Sequence, residues 1–190
     1  MHGKPIPTPS QTVGPFFHLG MARPEWADLT AANPAGQRIA IEGRVIDGDG
    51  APVPDAVLEV WQANATGRYN HPDDRQDDKP RDPNFRGFGR VATDDAGHFR
   101  IVTIKPGAVP GRGNALQAPH INIALFARGL LKHLYTRLYF ADEKDNAGDP
   151  LLSSIDDEAA RRSLLAQPMP GGYRFDIVLQ GEGETAFLDI

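Results

Sequence analysis

The chain has 190 residues, 40% of them apolar and 24% charged, with a formal net charge of −5. That length and balance suit one globular domain with a sizeable core, and the negative charge argues against nucleic acid or an anionic membrane as the main partner. Cysteine is absent, which excludes a disulfide framework and a thiolate metal site and suits a reducing, cytoplasmic setting.

Residues 1–37 read as an arm and linker, and residues 38–190 as the core of a single domain. The opening stretch, "MHGKPIPTPSQTVGPFFHLG", has no continuous apolar segment of the kind a secretory signal needs. No run of about 20 apolar residues follows it, so no membrane-spanning helix is expected. Pro5, Pro7, Pro9 and Pro15 each remove a backbone donor and disfavour helix at the residue before. An extended arm follows. Its adjacent Phe16 and Phe17 pack either on the arm's own domain or on another subunit.

Regular patterning starts at residue 38. "RIAIEGRVIDGDG" alternates apolar residues and ends in a turn, and "APVPDAVLEVWQA" reads as the next strand, an antiparallel neighbour of the first. Residues 63–89 are long, polar and rich in Asp, Gly and Pro, the composition of a functional loop or ordered excursion. "GRVATDDAGHFRIVTIKPG" predicts two strands joined by a hairpin at "DDAG". "HINIALFAR" and "TRLYFAD" predict two more. Residues 154–166 predict the one clear helix, with Ser154 and Asp157 in a capping-box pattern. "YRFDIVLQGEGETAFLDI" reads as two closing strands. The whole is all-β: an antiparallel β-sandwich with long loops, an extended N-terminal arm and one short helix in the C-terminal half.

Within "APHINIALFARG", alternation puts Ile121, Ile123, Leu125 and Ala127 on a core face. His120, Asn122, Ala124, Phe126 and Arg128 share the other. His120 and Asn122 are either the remnant of a strand-borne metal pair or a plain hydrogen-bonded polar pair. Eight residues separate His120 from Arg128, roughly 26 Å in a regular strand, so one small molecule cannot touch both. "WQANATGRYNH" presents Tyr69 and His71 after a turn. A phenolate oxygen suits a hard ferric ion, but one tyrosine and one histidine make a thin ligand set. No phosphate loop, nucleophile elbow or H-E-x-x-H motif is present. The residues by themselves lead to a soluble β-sandwich with a weak or degenerate polar site.

Seven segments in order, "TPSQTVGPFFHLG", "LEVWQANATGRY", "DPNFRGFGR", "TIKPG", "APHINIALFARG", "TRLYF" and "YRFDIVLQGEGET", together resemble the intradiol ring-cleavage dioxygenases. That resemblance implies a β-sandwich core. It also implies a catalytic chain with a non-haem ferric ion held by two tyrosines and two histidines. The first tyrosine falls on Tyr69 and the first histidine on His120, both kept. The second tyrosine falls on Val109 and the second histidine on Asn122, neither a suitable ligand. A family arginine three residues before the first histidine falls on Gln117. The resemblance therefore implies a chain with no metal site and no catalytic residue of its own. Such a chain is active only with a beta-type partner, which carries the Fe(3+). Carried-over substrate-binding positions are Thr12, Gly14 and Pro15 in the arm, and Arg128. On this expectation Arg128 offsets the ring carboxylate of protocatechuate, which the partner cleaves with O2 between its two hydroxyls.

Overall fold

In a computed structural model, residues 7–14, 16–111, 113 and 115–189 are described. Eleven strands carry the architecture: β1 (Arg38–Ile46), β2 (Val57–Trp61), β3 (Phe88–Ala92), β4 (His98–Ile104), β5 (Val109–Pro110), β6 (Leu116–Gln117), β7 (His120–Phe126), β8 (Leu134–Phe140), β9 (Leu165–Met169), β10 (Gly172–Arg174) and β11 (Ile177–Val178). Among the described residues there are three short α-helices, α1 (Phe17–Met21) ahead of β1 and α2 (Pro150–Ser154) and α3 (Glu158–Ser163) between β8 and β9. One hydrogen-bonded path runs β11-β1-β10-β9-β8-β7-β2-β3, with β4 on the other side of β1. It folds over on itself through β9. Ile39, Ile41 and Val45 of β1, with Phe99 and Ile101 of β4, then pack against Leu58, Val60, Ile121, Ile123, Leu125 and Leu138. The result is a mostly-β, sandwich- or barrel-like fold.

Strand orientation corrects the expected all-antiparallel sandwich. β1 runs parallel to β10 and β11, and β8 runs parallel to β9. β1 and β2 are not neighbours either: β1 pairs with β4, and β2 lies between β3 and β7. The "DGDG" turn does bring Val53 N onto Val45 O, at 2.9 Å. Pro52 and Pro54 lack the N–H groups that would extend the ladder, so the chain leaves β1 and crosses to the other face. "DDAG" forms its turn, with Gly97 N on Asp94 O at 2.9 Å, yet β3 and β4 join different faces. That turn is a corner between layers rather than a hairpin.

The helix expected over 154–166 is shorter, α3, and a separate helix, α2, precedes it and ends at Ser154. Asp149 caps α2, accepting from Leu151 N and Leu152 N, and Asp157 caps α3, accepting from Ala159 N. Ser154 caps nothing; its hydroxyl donates to Leu151 O. The closing stretch gives β10 and β11, split by Phe175 and Asp176. Beyond "GEGE" it makes only an isolated bridge between Leu188 and Tyr135. In the arm, α1 interrupts the expected extended course. Phe17 packs on Phe126, ring centroids 5.5 Å apart, whereas Phe16 is 78% exposed. The two phenylalanines thus divide, one facing the chain's own domain and the other solvent.

Candidate functional site

β7 behaves as its alternation predicts: Ile121, Ile123, Leu125 and Ala127 are buried in the core. Its other face begins at His120, which is buried, and ends past the strand at Arg128, which is exposed. Two different sites form at these ends.

The loop between β2 and β3 builds the first. Asn64 Oδ1 accepts from Thr66 N, Thr66 Oγ1 and Arg68 N. Gly67 sits at φ +81°, where a Cβ would collide with Ala108 O, so only glycine fits the turn. Buried Arg68 then ties the loop together through Lys79 O and Asp77. Asp74 accepts from Tyr69 N at 2.7 Å. These contacts aim Tyr69 at β7, its ring stacked on Trp61 at 5.6 Å. Outside lies a cleft of about 740 Å³ walled by Trp61, Tyr69, Gln76, Val109 and Pro110.

Behind that wall the polar groups pair with one another. His120 Nδ1 lies 2.7 Å from Ala118 O. A carbonyl can only accept, so Nδ1 carries the proton and Nε2 accepts, facing the Tyr69 hydroxyl at 3.4 Å. Asn122 Nδ2 donates to Trp61 O at 3.2 Å and to the Tyr69 hydroxyl at 3.4 Å. In the register of β7 against β8, Asn122 lies opposite Arg137. Arg137 Nε donates to Asn122 Oδ1 at 2.8 Å. Its Nη1 donates to Gln117 Oε1 at 2.6 Å and to the Tyr139 hydroxyl at 3.4 Å. Tyr139 in turn donates to Asp149, whose carboxylate also holds Ala118 N, Leu151 N and Leu152 N.

Burial pushes the Tyr69 phenol up, opposed by the Asn122 hydrogen bond and the Arg137 charge. Burial lowers the His120 imidazole to about 4, and the Arg137 charge adds to that. Burial likewise raises the Tyr139 phenol. Tyr69, His120 and Tyr139 are therefore neutral near pH 7, and the charges of the network are the Arg137 guanidinium and, beyond Tyr139, the Asp149 carboxylate.

The residues at this corner do not fit a ferric ion. Val109 is aliphatic and buried, and Asn122 offers a neutral amide whose oxygen Arg137 already takes. Among the described residues no group of three or more His, Asp or Glu side chains is placed to hold a metal.

The second site lies at the far end of β7. Arg128 clasps Asp55 in a fork, Nε to Oδ1 at 3.3 Å and Nη2 to Oδ2 at 2.9 Å. Asp55 sits at φ +56°, a left-handed conformation that Asp adopts more readily than most residues. Beside it, Gly129 N donates to Thr12 Oγ1 at 2.7 Å. Gly14 is exposed, and its carbonyl accepts from Phe17 N at the start of α1. Of the sequence-predicted substrate residues, Thr12 thus bonds Gly129, the residue after Arg128, with Gly14 two residues along the same arm. Pro15 lies outside the described residues. Arg137, Tyr139 and Asp149 were not singled out from sequence. The signal for Arg137 was parity: in a β7–β8 hairpin it shares the face of His120 and Asn122.

A family profile described as "Dioxygenase" matches residues 13–181. The chain belongs to the intradiol ring-cleavage dioxygenase family. It is 44% identical to the protocatechuate 3,4-dioxygenase alpha chain of Pseudomonas putida, an alignment covering 96% of each chain. It is also 44% identical to the beta chain of that enzyme from Burkholderia cepacia, over 93% of this chain and 77% of the relative. Among solved structures, the dioxygenase domain of a carbohydrate-binding fusion from Streptomyces sp. SirexAA-E superposes with a TM-score of 0.61. That match has 27% identity and covers 93% of this chain and 99% of the other.

Proposed function

We propose that this chain is the iron-free, alpha-type subunit of a protocatechuate 3,4-dioxygenase. Its beta-type partner carries the Fe(3+), and together they open protocatechuate with O2 to 3-carboxy-cis,cis-muconate, in the aromatic catabolism of the beta-ketoadipate pathway. One observation carries the reading. The family's metal corner is here a closed set of hydrogen bonds around Arg137, in a chain that aligns along almost its full length with alpha chains. The same proposal takes residues 1–190 as one domain in the cytoplasm, with residues 1–37 as its arm.

This chain's part is then to complete a pocket wall. Asp55 holds Nε and Nη2 of Arg128, which leaves Nη1 directed away from the clasp. A half-exposed guanidinium fixed in this way suits a carboxylate arriving from a partner's site. The ring carboxylate of protocatechuate is that group. Thr12 and Gly14 shape the adjoining wall.

Expression with and without a beta-type partner tests the assignment. The single chain should be colourless, metal-free and inactive, and the pair active. Stoichiometric iron and turnover in the chain alone would sink it. In the assembled enzyme, Arg128→Ala should weaken protocatechuate binding about tenfold or more, the loss of one charge-assisted contact. Catechol, which has no carboxylate, should be affected far less. Equal losses on the two substrates would remove Arg128 from the carboxylate.

A further inference from the structure

We propose that Arg137 is the resident cation of the Tyr69 corner, and that its fixed charge bars a metal ion from the pocket. The assignment goes beyond the loss of two ligands. Tyr69 and His120 still face each other, hydroxyl to Nε2 at 3.4 Å, so two donors of the right type survive. Val109 and Asn122 explain a weak site but not a closed one. What closes it comes from β8. Arg137 Nε takes Asn122 Oδ1 at 2.8 Å, and Nη1 takes Gln117 Oε1 at 2.6 Å. Both side-chain amides turn their oxygens, the atoms a hard cation would seek, toward the guanidinium. A guanidinium cannot lose its charge in a protein, so it repels an incoming cation at every working pH.

The partners of Arg137 among the described residues are all neutral: Asn122, Gln117 and Tyr139. The nearest acid in the network, Asp149, is spent on three backbone N–H groups and the Tyr139 hydroxyl. Among the described residues no carboxylate pairs with Arg137, and Asp149 is linked to it only through the Tyr139 hydroxyl. Restoring ligands alone leaves this obstacle in place. Asn122→His would set an imidazole in direct register with Arg137. Rebuilding a metal centre here takes two donors added and one cation removed.

The test uses the whole purified chain and counts iron. The double variant V109Y/N122H is compared with V109Y/N122H/R137Q and V109Y/N122H/R137K after loading with ferrous iron in air. Iron per chain and the visible band of iron-bound tyrosinate are the readouts. The R137Q triple variant should hold at least fivefold more iron than the double, with the band present. The R137K variant, which keeps the charge, should stay as empty as the double. A double variant that loads as well as the R137Q triple overturns the proposal, and so does a folded R137Q triple that loads no better. Should the triple variants not fold, cobalt(II) titration of the single variant Arg137→Gln decides. Binding at least tenfold tighter than in the unaltered chain supports the bar, and equal affinity overturns it. None of these outcomes depends on a partner chain, so the result stands apart from the role given to Arg128.

Discussion

At the His120 end of β7, the side chains are buried and satisfied by one another. Tyr69, His120, Asn122, Arg137, Tyr139 and Asp149 form one continuous set of contacts. At the Arg128 end the arrangement is sparse. One fork to Asp55 and one hydrogen bond from Gly129 to Thr12 hold an arginine that is itself 55% exposed. The same strand serves both, and the same face points to both. What differs is depth: the first end is covered by a long ordered loop, the second only by the arm. A closed network stabilises its own chain, whereas an open charged corner keeps its capacity for something outside.

Four measurements would break or sharpen that contrast. The largest effect is expected for Asp149→Ala. This fully buried carboxylate serves Ala118 N, Leu151 N, Leu152 N and the Tyr139 hydroxyl. At about 1–3 kcal/mol for each buried group left unpaired, denaturant unfolding should show a loss of about 4 kcal/mol or more. A loss below about 1 kcal/mol would mean that the network at this end is not cooperative.

Acid comes next. His120 takes its proton near pH 4 in the fold and near 6.5 when free of it. As pH falls below 6.5, the unfolded chain gains a proton that the folded chain refuses. The contribution is therefore intact above 6.5 and lost progressively toward pH 4. The gap corresponds to roughly 3 kcal/mol. Between pH 7 and 4 the unaltered chain should lose about that much more stability than His120→Gln. Identical pH profiles would place the imidazole in solvent.

Smaller effects belong to the open end. Asp55→Asn removes a partly exposed ion pair and should cost about 1 kcal/mol or less, falling further with salt. Thr12→Val should change global stability by less than about 0.5 kcal/mol, the usual range for surface positions. If either substitution costs as much as Asp149→Ala, the two ends do not differ in the way described.

The sequence made β7 legible because its alternation is unbroken: Ile121, Ile123, Leu125 and Ala127 went into the core, and His120 and Asn122 turned to the opposite face. Also readable was that Val109 and Asn122 stand where the family resemblance implies donors. The pairing partners were not. Parallel neighbours such as β1 with β10 come from distant segments, and no local pattern announces them. Pro52 and Pro54 were visible, yet "DGDG" followed by an apolar run looked like a simple hairpin. Arg137 was hidden for a related reason. In "TRLYF" it is one more outward residue of a strand, and its meaning depends on facing Asn122 across the register.

The bond from Gly129 N to Thr12 Oγ1 gives the molecule a natural signal. Gly129 sits in the exposed loop after β7, and among the described residues that hydroxyl is the acceptor its amide uses. The rate at which this one proton trades with deuterium therefore measures how often the arm lifts away. Slow exchange that becomes slower still in an assembled complex would time, residue by residue, the moment the arm is trapped.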